Sequence, residues 1–372
     1  MAVAQSRFRG NYLGFLYIII FTFFSLCPFV FPVMESDVQP YAFLLSVLLV
    51  LASLLHPHRN PYIIVSVATA IVAVLFFLLD PSQYALRLFY GYFSFAFILI
   101  ASFYSVSKYG DYLETVIKMI ILLWFLVGMV QLLGGDKRFL GFLVSGARTT
   151  SDRGVFGLAS EPSFFGVQCF YFLFLVSLFK KHKLLFIGIC VIMSVFMAQS
   201  TLGVIFLTTY LLLFAFDTKK VKVIIPTILI IVALGIYVVT NDSGGRLTYL
   251  LGEFLSNNMG SFEDDQSTTV RLNSILSSWG MVFDSHFLPQ GFSDRFGCLI
   301  GDALIVFGFI GLPLIFMILT VLSKSFSSKG IIISAFFLFF LLLNSNIQIS
   351  NPSLAFVLGY LLSKQDSEHN YV

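Results

Sequence analysis

Charged residues are scarce in this chain. Asp, Glu, Lys and Arg make up 11% of the 372 residues, whereas 58% are hydrophobic and the mean hydropathy is +0.94. A soluble domain carries about 25% charged residues, so this composition excludes a soluble globular protein and predicts a polytopic membrane protein. There is no basic tract and the net charge is only +3, so nucleic acid is not an expected partner.

Cysteines and catalytic motifs are also sparse. The four cysteines lie within or beside apolar runs, without metal-ligand or disulfide spacing, and we interpret them as packing residues. No HExxH motif, P-loop or nucleophile elbow occurs, so the sequence indicates no hydrolase. Residues 11–33 lack a convincing cleavage site, and we expect them to remain as the first membrane span.

Long apolar runs fill most of the sequence. A membrane helix needs about 20 apolar residues, and the runs predict about twelve transmembrane helices in one all-α domain, residues 1–372. We place them at 11–33, 40–55, 61–80, 84–104, 112–134, 161–179, 184–198, 201–216, 222–240, 298–322, 330–345 and 351–363. The connections on one side hold most of the Lys and Arg residues, so the positive-inside rule predicts that both termini are cytoplasmic.

Two longer connections, 135–160 and 241–297, fall on the opposite side, which the rule makes periplasmic. They carry basic residues against the topological bias, and neither is long enough for an independent domain. We therefore expect these two loops to form a cap over the spans. Apolar residues at helical spacing over 269–283 predict an amphipathic helix at the outer surface.

The polar segment before the sixth span contains the first candidate site residues. Pro162 is favoured in the first turn of a helix, and this helix start would present free N–H groups and a positive dipole end to an anion. Glu161 is interpreted as a base toward a sugar hydroxyl, as a partner of a loop arginine, or as an N-cap that stabilises the dipole. Ser163 is a candidate substrate-binding residue.

Arg148 and Arg153 lie in the same loop and lead into Gly154 and Gly157. Guanidinium groups suit bidentate contacts with phosphate oxygens, and glycines let a ligand approach the backbone. The alternative is anchoring to lipid headgroups, but two arginines followed by glycines favour an anion-binding site. A further arginine, Arg87, lies inside the fourth span and is expected either to snorkel outward or to face a cavity.

The second loop and the span after it supply three more candidates. Arg271 is a candidate partner of the first-loop arginines, with a salt bridge to Asp264 or Asp265 as the alternative. His286 is a candidate proton acceptor, although a lone histidine beside Phe and Leu is more often structural. Asp302, at the start of a span, is either a dipole partner or a working carboxylate, and the sequence does not separate these.

The segment Arg153-Gly-x-x-Gly-Leu-x-x-Glu161-Pro-Ser163 resembles the bacterial O-antigen polymerase family, within the O-antigen ligase and polymerase group. The layout of spans and loops fits most of the chain, whereas the sharp motifs cover a small part of it. Three other segments fit the family: Gln199-Ser-Thr-Leu-Gly203, Arg271 with Ser278-Trp279 and Pro289-x-Gly-Phe292, and Asp302 with Gly308-x-x-Gly311. The first of these has Thr201 where the family often has an arginine.

The resemblance implies a fold like the GT-C-type membrane glycosyltransferases and a polymerase of the bacterial inner membrane with a periplasmic active site. Its donor and acceptor would be undecaprenyl-pyrophosphate-linked oligosaccharides, joined by inverting, metal-independent transfer without a cofactor. Membrane lipid is an expected partner, and a chain-length regulator protein is a candidate one. The three loop arginines would then stabilise the pyrophosphate, while Glu161, Asp302 or His286 would position or deprotonate the acceptor hydroxyl.

Other functions stay open at this point. An O-antigen ligase often carries a His-Asn pair where this chain has Gly301-Asp302, which favours the polymerase, although His286 lies shortly before. A flippase or transporter for the lipid-linked unit is a second alternative. The absence of internal repeats weakens it, as does the presence of only one candidate charge, Arg87, at bilayer depth. Binding without catalysis is a third.

Overall fold

The computed structural model describes residues 12–54, 60–134, 137–144, 146–149, 154–218, 266–292, 298–326, 331–343 and 347–369. Within these ranges the chain is helical and contains no strand beyond a single β-bridge between Val30 and Val144. The predicted all-α class is confirmed. The predicted span at 222–240 lies outside the described residues.

Twelve α-helices are described. They are α1 (Tyr12–Leu26), α2 (Tyr41–Leu54), α3 (Pro61–Leu79), α4 (Gln83–Leu133), α5 (Pro162–Ser177), α6 (Lys183–Ile192), α7 (Thr201–Thr218), α8 (Gln266–Asp284), α9 (Leu299–Phe307), α10 (Leu312–Ser323), α11 (Ile331–Leu343) and α12 (Pro352–His369). A π-helical segment, Met193–Ala198, extends α6, and 3₁₀ turns occupy Gly141–Leu143 and Gly308–Gly311.

Three helical segments in the described ranges are long and apolar enough to cross a membrane: Pro61–Leu79, Gln83–Leu133 and Leu299–Ser323. Large apolar side chains also stay exposed along the helices, for example Leu79 at 79% and Leu133 at 74%. A soluble protein rarely exposes so much apolar surface, whereas a bilayer covers it. These features are those of a helical membrane protein.

Helix α4 is 51 residues long and bends at Tyr109, whose backbone angles are non-helical (φ −134°, ψ 22°). Its two ends come back to the same end of the molecule, because Arg87 lines a cavity beside the start of α5 and Gln131 bonds the loop that leads into α5. The bend divides α4 into arms of about 25 residues, or roughly 38 Å, which is enough to cross the ~30 Å bilayer core. The predicted spans 84–104 and 112–134 are the two arms of this bent helix.

Polar contacts join the predicted cytoplasmic connections at the end where α4 bends. Lys180 Nζ donates to Asp111 Oδ1 at 2.8 Å, which ties the α5–α6 turn to the bend and raises the pKa of Lys180. Lys324 Nζ donates to the Tyr62 hydroxyl at 3.2 Å, which joins the end of α10 to the start of α3. Both lysines belong to connections that the charge bias assigns to one side.

The first helix is shorter than the predicted span 11–33. Helix α1 ends at Leu26 because Pro28 lacks an N–H group and disfavours helical backbone at the residue before it. The following irregular segment pairs with the first loop, since the N–H of Phe31 donates to the Leu143 carbonyl at 2.7 Å. The segment before α2 is therefore attached to the first loop.

The predicted span 298–322 is not one continuous helix. Helices α9 and α10 are separated by the 3₁₀ turn that begins at Gly308. This residue has φ 56° and ψ −140°, and a Cβ there would lie 2.4 Å from the Phe287 carbonyl oxygen. Only glycine fits that backbone geometry and that approach, so Gly308 fixes the break.

Helix α8 covers the segment 269–283, over which the sequence predicts an amphipathic helix. Ile275 and Val282 are buried, whereas Leu276 and Phe283 are about 60% exposed (59% and 60%). The inward stripe therefore matches the predicted helical spacing in the part of α8 whose side chains are described.

Helices α5 and α12 form the centre of the bundle. Every residue of α5 from Phe165 to Val176 is buried, as expected of a helix that is apolar on all sides. In α12 the Ser353 hydroxyl lies 2.9 Å from Gln168 Oε1, which links the two central helices through a buried polar contact. The candidate site lies beside the N-terminus of α5.

Candidate functional site

A cavity of about 160 Å³ lies between the first arm of α4, the start of α5, and α9. The irregular segments before α2 and α12 complete its wall. Engineered cavities of about 150 Å³ hold one benzene ring, so this one has room for one six-membered ring. Its lining combines aromatic rings with charged and amide side chains: Phe29, Asp37, Arg87, Tyr90, Tyr92, Phe164, Asp302, Gln348 and Asn351.

Groups of opposite charge line this cavity from different helices. Arg87 lies near the start of α4, and Asp302 lies in the first turn of α9. Within the described part of the chain, Arg87 takes part in no ion pair. A guanidinium keeps its charge and offers five N–H donors, so Arg87 is available to bind an anionic ligand in the cavity. Arg87 lines the cavity and is also exposed, so its position is compatible with both alternatives given by the sequence.

Arg148 is linked to the same cavity by its ion pair with Asp37. Its Nη2 donates to Asp37 Oδ2 at 3.0 Å and to Oδ1 at 3.2 Å, and Asp37 lines the cavity. Its backbone N–H donates to the Ser160 carbonyl at 2.7 Å. The Arg148 side chain is 59% exposed, so this ion pair contributes at most about 1 kcal/mol of stability. It positions the first loop beside the segment before α2.

Glu161 occupies the N-cap position of α5 with extended backbone (φ −152°, ψ 161°), followed by Pro162 as predicted. Its carboxylate makes no capping hydrogen bond to the helix N–H groups; instead Glu161 Oε1 accepts from the Ser163 hydroxyl. Phe164, the next residue, lines the cavity. The positive end of the α5 dipole therefore lies beside the cavity, with Glu161 and Ser163 next to it.

The loop that leads into α5 is fixed by two glycines. Gly157 has φ 60°, and both of its backbone groups bond the buried side chain of Gln131. Gly154 packs on the π-helical segment, where a Cβ would lie only 2.2 Å from the Met197 carbonyl oxygen. The Val155 N–H donates to that same oxygen at 2.8 Å. Glycine is therefore favoured at 157 by the left-handed backbone and at 154 by the close approach of the Met197 backbone.

The remaining predicted site residues are not brought to the cavity by described contacts. Arg153 lies outside the described residues. Arg271 lies in α8, but its side chain falls outside the described part. His286 follows α8 in a left-handed conformation (φ 52°), is exposed and does not line the cavity. Their predicted roles stay predictions.

Four cavity residues were not singled out from the sequence. Asp37, Gln348 and Asn351 belong to short connections, and a polar residue in such a connection was the available signal. No sequence pattern indicated Tyr92 as a cavity residue, because α4 contains many aromatic residues and nothing distinguishes this one from the others. Among the described residues, no group of three or more His, Cys, Asp or Glu side chains is arranged to hold a metal ion.

No protein-family model, curated protein or solved structure matches this chain.

Proposed function

We propose that this chain is a polysaccharide polymerase that joins undecaprenyl-pyrophosphate-linked oligosaccharide repeat units, of the O-antigen or capsule type. It acts in the bacterial inner membrane with about twelve spans in a GT-C-like arrangement, both termini cytoplasmic and the cavity facing the periplasm. The polymerase-like segment at 153–163 and the charge bias of the connections support this proposal.

The observation that carries the proposal is the presence of Arg87 and Asp302 in one cavity of about 160 Å³, beside the N-terminus of α5. A glycosyl pyrophosphate combines a negative charge with a polyhydroxylated ring. A guanidinium without a protein partner in the described ranges suits the charge. Carboxylate and amide side chains, such as Asp302 and Asn351, suit the ring hydroxyls.

The chemistry is a single displacement at the anomeric carbon of the donor. The acceptor hydroxyl oxygen forms the new bond to that carbon, the bond to the pyrophosphate oxygen breaks, and its electron pair leaves with undecaprenyl pyrophosphate. Arg87, with Arg153 and Arg271, stabilises the growing negative charge. The hydroxyl proton passes to the carboxylate of Asp302 or Glu161. One displacement inverts the anomeric configuration.

Reconstitution tests this proposal directly. The purified chain is placed in liposomes with its host's undecaprenyl-pyrophosphate-linked repeat unit, without nucleotide or added metal, and the products are run on a gel. A sugar ladder that disappears in Arg87→Ala is expected. Repeat units that cross the bilayer without a ladder would identify a flippase. Transfer only to a lipid A-core acceptor would identify a ligase.

A further inference from the structure

A second cavity, of about 200 Å³, lies at the opposite end of the bundle, where α4 bends. We name it the α1–α2 groove. Ile18 of α1 and Leu49 of α2 form its buried floor, whereas Leu48 on its rim is 59% exposed. Lys108 and Tyr109 of α4 close the end of the groove beside the bend. The groove is thus apolar along its length and basic at one end.

The surface around the groove is apolar on both helices. On α1, Leu13 is 81% exposed and Leu16 is 52% exposed. On α2, Leu44 and Leu51 are 59% and 56% exposed. Exposed apolar side chains on both sides of a groove make a surface that hydrocarbon chains cover well. The groove therefore opens toward the part of the surface that suits lipid.

The ammonium of Lys108 is held by aromatic residues. Its Nζ donates to the Tyr104 hydroxyl at 3.3 Å and lies 5.5 Å from the centre of the Tyr104 ring and 5.6 Å from that of Tyr109. An ammonium has three donors, so two of them are left for a ligand. The tyrosines fix the position of the charge without neutralising it.

Nearby carboxylates are engaged with other lysines. Asp111 accepts from Lys180 at 2.8 Å, and Glu114 accepts from Lys118 at 2.6 Å. Within the described ranges Lys108 takes part in no ion pair. A positive charge without a carboxylate partner, at the end of an apolar groove, is complementary to a negatively charged headgroup with an acyl chain.

We propose that the α1–α2 groove binds one anionic phospholipid, with its phosphate on the Lys108 ammonium and an acyl chain along Ile18 and Leu49. The positive charge of Lys108, which has no carboxylate partner in the described ranges, selects an anionic lipid over a zwitterionic one. This proposal is independent of the reaction proposed above.

Native mass spectrometry of the full chain in detergent tests the site. The protein is titrated with phosphatidylglycerol and with phosphatidylcholine of the same acyl chains. The wild type is expected to bind phosphatidylglycerol more tightly, and Lys108→Gln should lower that affinity about tenfold, toward the phosphatidylcholine value. The control is Lys324→Gln, at the same end but bonded to Tyr62 and outside the groove; it should keep the preference.

A second variant tests the shape of the groove while keeping the charge. Ala52 lines the groove, and Ala52→Phe should fill it and weaken the binding of both lipids. Equal phosphatidylglycerol affinity in the wild type and in both groove variants would overturn the proposal. So would an equal loss in Lys108→Gln and Lys324→Gln, which would indicate general charge attraction. Thermal unfolding of each variant shows that it is folded.

Discussion

The side-chain amide of Gln131 pairs with both backbone groups of Gly157. Its Oε1 accepts the Gly157 N–H at 2.8 Å, and its Nε2 donates to the Gly157 carbonyl at 3.0 Å. The same Nε2 donates to the Phe139 carbonyl at 2.8 Å. One buried side chain on the second arm of α4 therefore holds two separate parts of the first loop, next to the start of α5.

Removing this side chain should loosen the loop. Gln131→Ala leaves the buried Gly157 groups without these bonds, and we expect a loss of about 1–3 kcal/mol of stability together with reduced polymer formation. Thermal unfolding in detergent measures the first effect. Gln290→Ala is the control, because Gln290 is exposed and its side chain makes only a 3.4 Å contact. Equal unfolding midpoints for the two variants would contradict the role of Gln131.

A methyl group at Gly154 should displace the loop from the π-helical segment. Its Cβ would lie 2.2 Å from the Met197 carbonyl oxygen, so the backbone must move, and we expect Gly154→Ala to lose most of the activity. Gly188→Ala, in α6, has nothing within 4 Å of the new Cβ and should be neutral or stabilising by about 0.5–1 kcal/mol. Polymer assays with both proteins, normalised to the inserted amount, compare them. Similar activities would show that the loop tolerates the shift.

Arg87 should be needed for the reaction but not for insertion. We expect Arg87→Ala to lower the rate by about 10²–10³, as for loss of a donor that stabilises developing charge. Arg87→Lys should recover only part of this, because an ammonium lacks the bidentate fork. Arg153→Ala, predicted from sequence, should act in the same direction. Arg138→Ala, which changes a first-loop residue outside the cavity lining, is the control; wild-type polymer from Arg87→Ala would remove Arg87 from the site.

Two carboxylates compete for the role of proton acceptor. Asp302 lines the cavity, whereas Glu161 lies at the N-cap position of α5 and accepts from Ser163, so we expect Asp302→Asn to lower the rate about 10²–10⁴-fold. Glu161→Gln should keep most of the activity, while Glu161→Ala loses more through positioning. Single-turnover rates with saturating donor separate these variants. The opposite order would assign proton transfer to Glu161.

Helix positions could largely be predicted from the sequence, because apolar runs and the Pro162 start carry local signals. Apolar residues at helical spacing likewise predicted a helix over the segment that α8 occupies. The break at Gly308 and the end of α1 were missed, since a hydrophobic run continues through both while the backbone geometry changes at a single glycine or proline.

The site was less predictable because its contacts join distant parts of the chain. Asp37 and Arg148 are 111 residues apart, and no periodic pattern links them. The hydrogen bonds of Gln131 to the first loop could not be predicted from the sequence either, because a single amide in an apolar helix is also found at helix packing contacts. The loop residues Arg148 and Glu161 were identified because charge is rare in this composition, so each charged residue beside a span was informative.

Because α4 bends at Tyr109, a small change in the angle between its two arms moves their far ends by a large distance. Arg87 and Gln131 lie near the far ends of its two arms, each 22 residues from Tyr109, or roughly 33 Å at 1.5 Å per residue. A change of about 5° between the arms would therefore move their ends by about 3 Å relative to each other, which is the length of a hydrogen bond. The position of Arg87 relative to the loop that Gln131 holds is therefore sensitive to the backbone angles of Tyr109, at the opposite end of the molecule and directly beside Lys108.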